Sequence, residues 1–106
     1  FVATGNIYGR DPTTKAIPND AEAQVRLVFQ NLERILAAAG AAPGDLIKLE
    51  FDVASLAIRE AINREWLRLF PDEASRPARH VKRYDDFPAG AVVNCEAWAV
   101  VWKDAG

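Results

Sequence analysis

Two stretches of helical periodicity bracket one of strict two-residue alternation, and this succession limits the fold more than any other feature of the chain. In the first stretch Val25, Val28, Leu32, Ile35, Leu36 and Ala39 recur at helical spacing. Asn19 stands as an N-cap with Glu22 three residues on, a capping-box arrangement, and Gly40 sits where a left-handed residue closes a helix. The spacing predicts a helix over Asp20 to Ala39, with Glu22, Gln24, Arg26, Gln30 and Arg34 toward water. After a short connection at Ala41 to Asp45, the residues from Leu46 to Val53 alternate. Ile47, Leu49, Phe51 and Val53 form one face and Lys48, Glu50 and Asp52 the other, the pattern of a half-buried strand. Ser55 caps a second helix, in which Ile58, Ala61, Ile62, Trp66, Leu69 and Phe70 keep the helical period. Arg59, Glu60, Arg64 and Arg68 are left for water, and Pro71 stops the helix.

The flanks supply strands. Phe1 to Gly5 reads as a short one, with Gly5-Asn6 marking a bend or a close backbone approach, and Tyr8 to Pro18 reads as a loop. Towards the other end, Arg79 heads an alternating run, His80 to Tyr84, after a Pro77-Ala78 step. The turn residues Asp85 to Gly90 follow, and then a Val-, Trp- and Ala-rich run from Ala91 to Lys103. Arg79 is thereby expected at one end of a pair of strands. The order strand, helix, strand, helix, strand, strand calls for an α+β fold, a mixed sheet with two helices on one face. A single domain over residues 1–106 accommodates it. The strand-like opening at Phe1 and the lack of methionine imply that an N-terminal segment is missing.

Composition enters as a set of exclusions. A net charge of −2 offers no field for nucleic acid or anionic membrane, the one local exception being Arg76, Arg79, Lys82 and Arg83. No apolar run approaches the roughly 20 residues of a membrane span. One histidine and one cysteine cannot build a structural zinc set, so no metal is expected. No glycine-rich phosphate loop, Gly-x-Ser-x-Gly elbow or acidic calcium loop is present. Cys95 reads as a buried free thiol in a reducing compartment, which favours the cytoplasm. Asp72-Glu73 and Asp85-Asp86 read as solvated turns. His80 is either a general acid or base or a surface side chain.

Strand alternation puts Arg79, Val81 and Arg83 on one face and His80, Lys82 and Tyr84 on the other. It also separates Asn94, Glu96 and Trp98, facing something partly polar, from the core set Val93, Cys95, Ala97 and Ala99. An arginine at such an edge suits a planar carboxylate, held by two parallel hydrogen bonds. The alternative is a surface cation paired with an Asp or Glu.

Over nearly its whole length the chain resembles the RidA/YjgF family, also called Rid or endoribonuclease L-PSP. The residues that carry the likeness are Thr4-Gly5, Ala23-Gln24, Gln30-Asn31-Leu32, Ile35-Leu36, Ala39-Gly40 and Asp45-Leu46-Ile47-Lys48. Asn63 with Trp66 and Phe70, then Arg76-Pro77-Ala78-Arg79, Phe87-Pro88, Val93 and Glu96-Ala97 complete it. The resemblance implies a chorismate-mutase-like fold and a homotrimer whose sheets form a central barrel, with ligand sites between neighbours. It implies a cofactor-independent deaminase that hydrolyses reactive enamines and imines such as 2-aminoacrylate to keto acid and ammonia. Its partner would then be a small imino or keto acid.

By the same resemblance Arg79 is the arginine of a P-A-R motif that grips the substrate carboxylate, Thr4 stands at a pocket serine, and Asn63 is a helix asparagine. Gly5, Tyr8 and His80 complete the expected substrate-binding set. Asn94 falls where the family has its active-site glutamate, so the expected catalytic pair is Arg79 and Asn94. An amide can hydrogen-bond a water but cannot exchange a proton with it. His80 and Val81 replace the small polar and cysteine residues often found after the arginine. Tyr8, Trp66 and Trp98 offer flat surfaces for a larger substrate, though Trp66 also reads as core. Two other readings stay open: a non-catalytic trimeric binder of small carboxylates, and a ribonuclease or translation inhibitor, against which the acidic balance argues.

Overall fold

Helix α1, Ala21–Ala38, forms where the apolar period is longest, and the structure, a computed structural model, describes it within residues 1–101. Its N-cap is Asp20, whose carboxylate accepts the Glu22 amide at 3.3 Å. The expected cap, Asn19, lies one residue outside. At the other end Gly40 takes φ +76°. The Gly40 amide donates to the Ala37 carbonyl and the Ala41 amide to that of Leu36, so the last carbonyls are satisfied as in a Schellman ending.

Strands β1, Val2–Ala3, and β2, Ile7–Tyr8, precede this helix, so Tyr8 ends a strand rather than opening a loop. Strand β3, Leu46–Val53, follows it with the expected bounds. Ser55 accepts the Ala57 amide, capping the single turn that leads into helix α2, Arg59–Leu69. Strands β4, Ala78–Arg83, and β5, Val93–Ala99, complete the order, with Gly90 at φ +85° in the turn between them. The expected run to Lys103 extends beyond the described residues.

The sheet order is β1-β5-β3-β4, with β2 also on β5. The pairing differs from the adjacent pair expected for the last two strands. Strand β4 is parallel to β3, and β5 is antiparallel to β3 on its other side. Strand β3, with Leu49, Phe51 and Val53 essentially inaccessible, is the centre of the core and takes a ladder on each side. The long connection from Tyr84 to Val92 lets the chain step across it.

Both helices pack on the face of the sheet that carries Leu49, Phe51, Val53, Val93, Cys95, Ala97 and Ala99. Phe29 of α1 stacks on Phe51 with ring centroids 5.5 Å apart. The Cys95 thiol is free and buried, and loss of hydration pushes its pKa up, as expected for a buried thiol of the core.

Three side chains depart from the expected faces. A register irregularity between Leu46 and Lys48 turns Leu46 inward and leaves Ile47 48% exposed. Ile35, on the rim of the α1 stripe, is also exposed. Gln24, expected in water, is 1% exposed. Its amide donates to the Pro18 carbonyl at 2.7 Å and the Gly90 carbonyl at 2.9 Å, and its carbonyl accepts the Val92 amide at 2.9 Å. One side chain thus ties the N-terminal loop and the approach to β5 onto α1. Of the two expectations for Gly5-Asn6, a bend or a close backbone approach, the close approach is not found at Gly5; one occurs at Gly9, where an added Cβ would run into the backbone of Gln24.

Candidate functional site

The P-A-R segment places Arg79 at the second position of β4, beside Leu49 of β3 in the register. Its side chain therefore leaves the sheet on the helix side, where α2 brings Trp66 beneath it. The guanidinium carbon lies 4.9 Å from the indole ring centroid. Trp66 is 7% exposed and also packs on Phe70, centroid to centroid 4.8 Å, so the platform is part of the core, as one sequence reading had it.

Among the described residues Arg79 has no ion pair, in contrast to the surface-cation reading, and no hydrogen bond from its guanidinium. Loss of hydration first, and then the positive charge of Arg59, hold its pKa below the ordinary arginine value. The neighbouring Arg76 is engaged differently, donating from Nε to the Phe70 carbonyl at 3.0 Å. Asn63 is exposed on α2, four residues after Arg59 and three before Trp66, and so projects from the same side of the helix as both.

The remaining expected site residues lie elsewhere in the chain. Thr4 bonds to β5 at Ala97, its amide donating to the Ala97 carbonyl and its hydroxyl oxygen accepting the Ala97 amide, both at 3.0 Å. The hydroxyl also donates to the Gly5 carbonyl at 2.9 Å. Ala97 pairs with Leu49, and Leu49 with Arg79. Thr4 and Arg79 thus mark opposite edges of one row across the sheet, three interstrand steps or about 14 Å apart. Tyr8 pairs with Asn94, and Asn94 with Asp52, on the face that carries no helix.

Asn94 was expected near Arg79 at the reacting centre. Within one chain it is on the opposite face and 2% exposed. His80 shares that open face rather than the Arg79 side, because neighbours on a strand alternate. It is largely exposed, with Nδ1 4.0 Å from Glu50. The open face is a charged ladder: Lys48 to Glu50 at 3.0 Å, Lys82 to Asp52 at 3.8 Å, and Lys48 over the Trp98 ring at 5.4 Å.

Apart from His80, the structure therefore divides the expected residues into two groups. Arg79 and Asn63 gather with Trp66 and Arg59 at the β4–α2 corner; Thr4, Gly5, Tyr8 and Asn94 lie at and beside the far edge. A crevice of about 420 Å³ runs between the loop after β2 and α1, lined in part by Tyr8, Arg10, Asn31 and Arg34. A smaller one of about 150 Å³ lies between the helices, by Glu22 and Arg64. Neither includes Arg79, whose corner is open in the single chain. Sequence reasoning assigned Arg59 to water, where the structure finds it exposed, but did not place it beside Arg79. Its spacing to Asn63 and Trp66 was the available signal, but only the parallel β3–β4 crossover shows that this side of α2 meets Arg79.

A family model described as endoribonuclease L-PSP matches residues 1–101, and the chain belongs to this family, the one that contains RidA and YjgF. The 2-iminobutanoate/2-iminopropanoate deaminase of Salmonella typhimurium is 32% identical over 101 residues, covering 94% of this chain and 79% of the relative. Among solved structures, RidA from the Antarctic bacterium Psychrobacter superposes with TM-score 0.86 at 26% identity, covering 93% of this chain and 79% of that one. TdcF of Escherichia coli with bound serine gives TM-score 0.85 at 29% identity, covering 94% and 80%.

Proposed function

We propose that the protein is a cofactor-independent imine and enamine deaminase that works as a homotrimer, with Arg79 as the anchor for the substrate carboxylate. The observation that carries this reading is the Arg79 guanidinium. It has no anionic partner among the described residues and is partly stripped of water, with one face against Trp66 and its donors free for a ligand. Such a group is suited to a planar carboxylate. A relative of which the chain covers 79% is named for this chemistry, and another was solved with a small carboxylate-bearing ligand, serine.

The separation of the two groups of residues supports assembly. An edge bearing Thr4, Gly5 and Tyr8, and another bearing Arg79 with Asn63 on the helix beside it, complement each other when neighbouring copies meet edge to edge in a ring. In that arrangement each site takes its arginine from one copy and its backbone groups from the next. The imine, protonated as R₂C=NH₂⁺, is attacked at carbon by water and yields R₂C=O and NH₄⁺. An enamine first moves a proton from nitrogen to its terminal carbon to become the imine. Arg79 fixes the carboxylate so that the imine carbon faces the water, and backbone carbonyls of the neighbouring copy orient that water. The buried thiol of Cys95 fits a reducing compartment, the cytoplasm, and we place the protein there.

Asn94 favours one second reading, a trimer that binds small carboxylates without turning them over, because an amide cannot take the proton from water. Ammonia release from 2-iminopropanoate, generated in place by an amino-acid oxidase, separates the two. Under the deaminase reading the protein accelerates release, and Arg79→Ala abolishes the acceleration. No acceleration in the original protein, followed by a large gain in Asn94→Glu, identifies the binder.

A further inference from the structure

We propose that the β4–α2 corner is a two-cation site, Arg79 together with Arg59, and that it selects imino acids bearing a second acidic group. The inference rests on the deaminase reading for its chemistry and goes beyond it in naming dicarboxylic imines as the substrate class. Helix α2 sets Arg59, Asn63 and Trp66 on one side by their spacing, and Trp66 is the residue on which Arg79 lies. Arg59 is close enough for its charge to act on Arg79.

The other arginines of the same helix are treated differently. Arg64 meets Glu22 at 2.8 Å, and Arg68 meets Glu33 at 2.8 Å and Glu65 at 3.0 Å. Arg59 and Arg79 have no such carboxylate among the described residues, although like charges held together cost free energy. An anion shared between them offsets that cost.

One carboxylate saturates one guanidinium fork, which leaves the second cation for a second acid. The charge of the reacting species points the same way. A monocarboxylic iminium is neutral overall and gains little from two cations, whereas a dicarboxylic iminium carries one net negative charge. Asn63, between Arg59 and Trp66 on the helix, adds an amide donor for the distal carboxylate.

The test compares 2-iminoglutarate with 2-iminopropanoate, each generated by an amino-acid oxidase, and pairs turnover with calorimetric titration of 2-oxoglutarate and pyruvate. The original protein prefers the dicarboxylate in kcat/KM and in Kd by about tenfold or more. In Arg59→Gln the ratio falls towards one, and in Arg59→Lys it is partly restored. Turnover of both imines with a ratio that Arg59→Gln leaves unchanged overturns the two-cation site while the deaminase stands. No turnover, with the 2-oxoglutarate preference present and lost in Arg59→Gln, upholds the site and overturns the deaminase. No turnover and no binding preference overturns both.

Discussion

Gln24 and Arg79 are both polar groups set against the apolar core, yet one is fully satisfied and the other is left with donors to spare. Gln24 spends its amide on two carbonyls and its carbonyl on one amide, all from segments that would otherwise lie loosely on α1. Arg79 rests on an aromatic face, with a second cation nearby and no anion among the described residues. A buried polar group whose every bond is made inside the chain acts on stability. A cation held half-dry without an acceptor is prepared for something from outside. The two sites therefore respond oppositely to substitution.

Gln24→Ala gives the largest effect. It strands the part-buried Pro18 and Gly90 carbonyls and the Val92 amide, and each such group costs on the order of 1–3 kcal/mol where water does not replace the lost partner. With partial relaxation a loss of about 3 kcal/mol is expected, read as a lower urea midpoint at unchanged m-value. A loss below about 1 kcal/mol would mean that the three segments are held without it. Trp66→Phe comes next. It removes part of a core side chain and narrows the platform under Arg79, for about 1–2 kcal/mol in the same assay. It also weakens carboxylate binding, because the guanidinium loses its support.

Arg79→Ala is expected to change stability by less than about 1 kcal/mol in either direction. The lost contact with Trp66 is offset by relief from dehydration and from Arg59. Its cost falls on ligand binding. A loss above about 2 kcal/mol would make Arg79 a structural residue like Gln24 and remove the distinction between them.

The same pair shows where sequence reasoning reached and where it stopped. Helix α1 and strand β3 were legible because their periods are long, and Ser55, Gly40 and Gly90 because a cap or a positive φ demands particular residue types. Gln24 was misplaced on its polarity. Yet Gln24, Val28, Leu32 and Leu36 follow one another at intervals of four, so the period had already put it on the buried side. Ile47 was misplaced because alternation counts residues and a bulge inserts one. Arg79 was legible as a cation at the head of a strand. Its platform was not, since periodicity reports which face a residue takes but not which element covers that face. The separation of Arg79 from Asn94 and Thr4 needed the strand order, which local pattern does not encode.

The smallest effect concerns a third kind of charge, satisfied but wet. Glu50, on the open face, is bonded by Lys48 at 3.0 Å, with Lys82 and His80 adding weaker attraction, and its pKa is lowered from the ordinary 4.5. A carboxyl whose folded pKa is depressed stabilises the fold fully above its unfolded value, and that share is lost as pH falls through the folded value. The Glu50 contribution is therefore complete above about pH 4.5 and disappears on further acidification. Lys48→Gln removes the main partner of Glu50, so it lowers stability slightly at neutral pH and leaves it unchanged once Glu50 is protonated. Urea midpoints of the two proteins should converge towards low pH, and the neutral gap should shrink with added salt, because the pair is exposed. A gap that persisted in acid would assign the effect to the packing of Lys48 over Trp98 instead of to its charge. The same hydrogen-bonding capacity thus yields a structural tie when buried and paired, the proposed ligand anchor when half-dry and unpaired, and a minor, salt-sensitive term when paired in water.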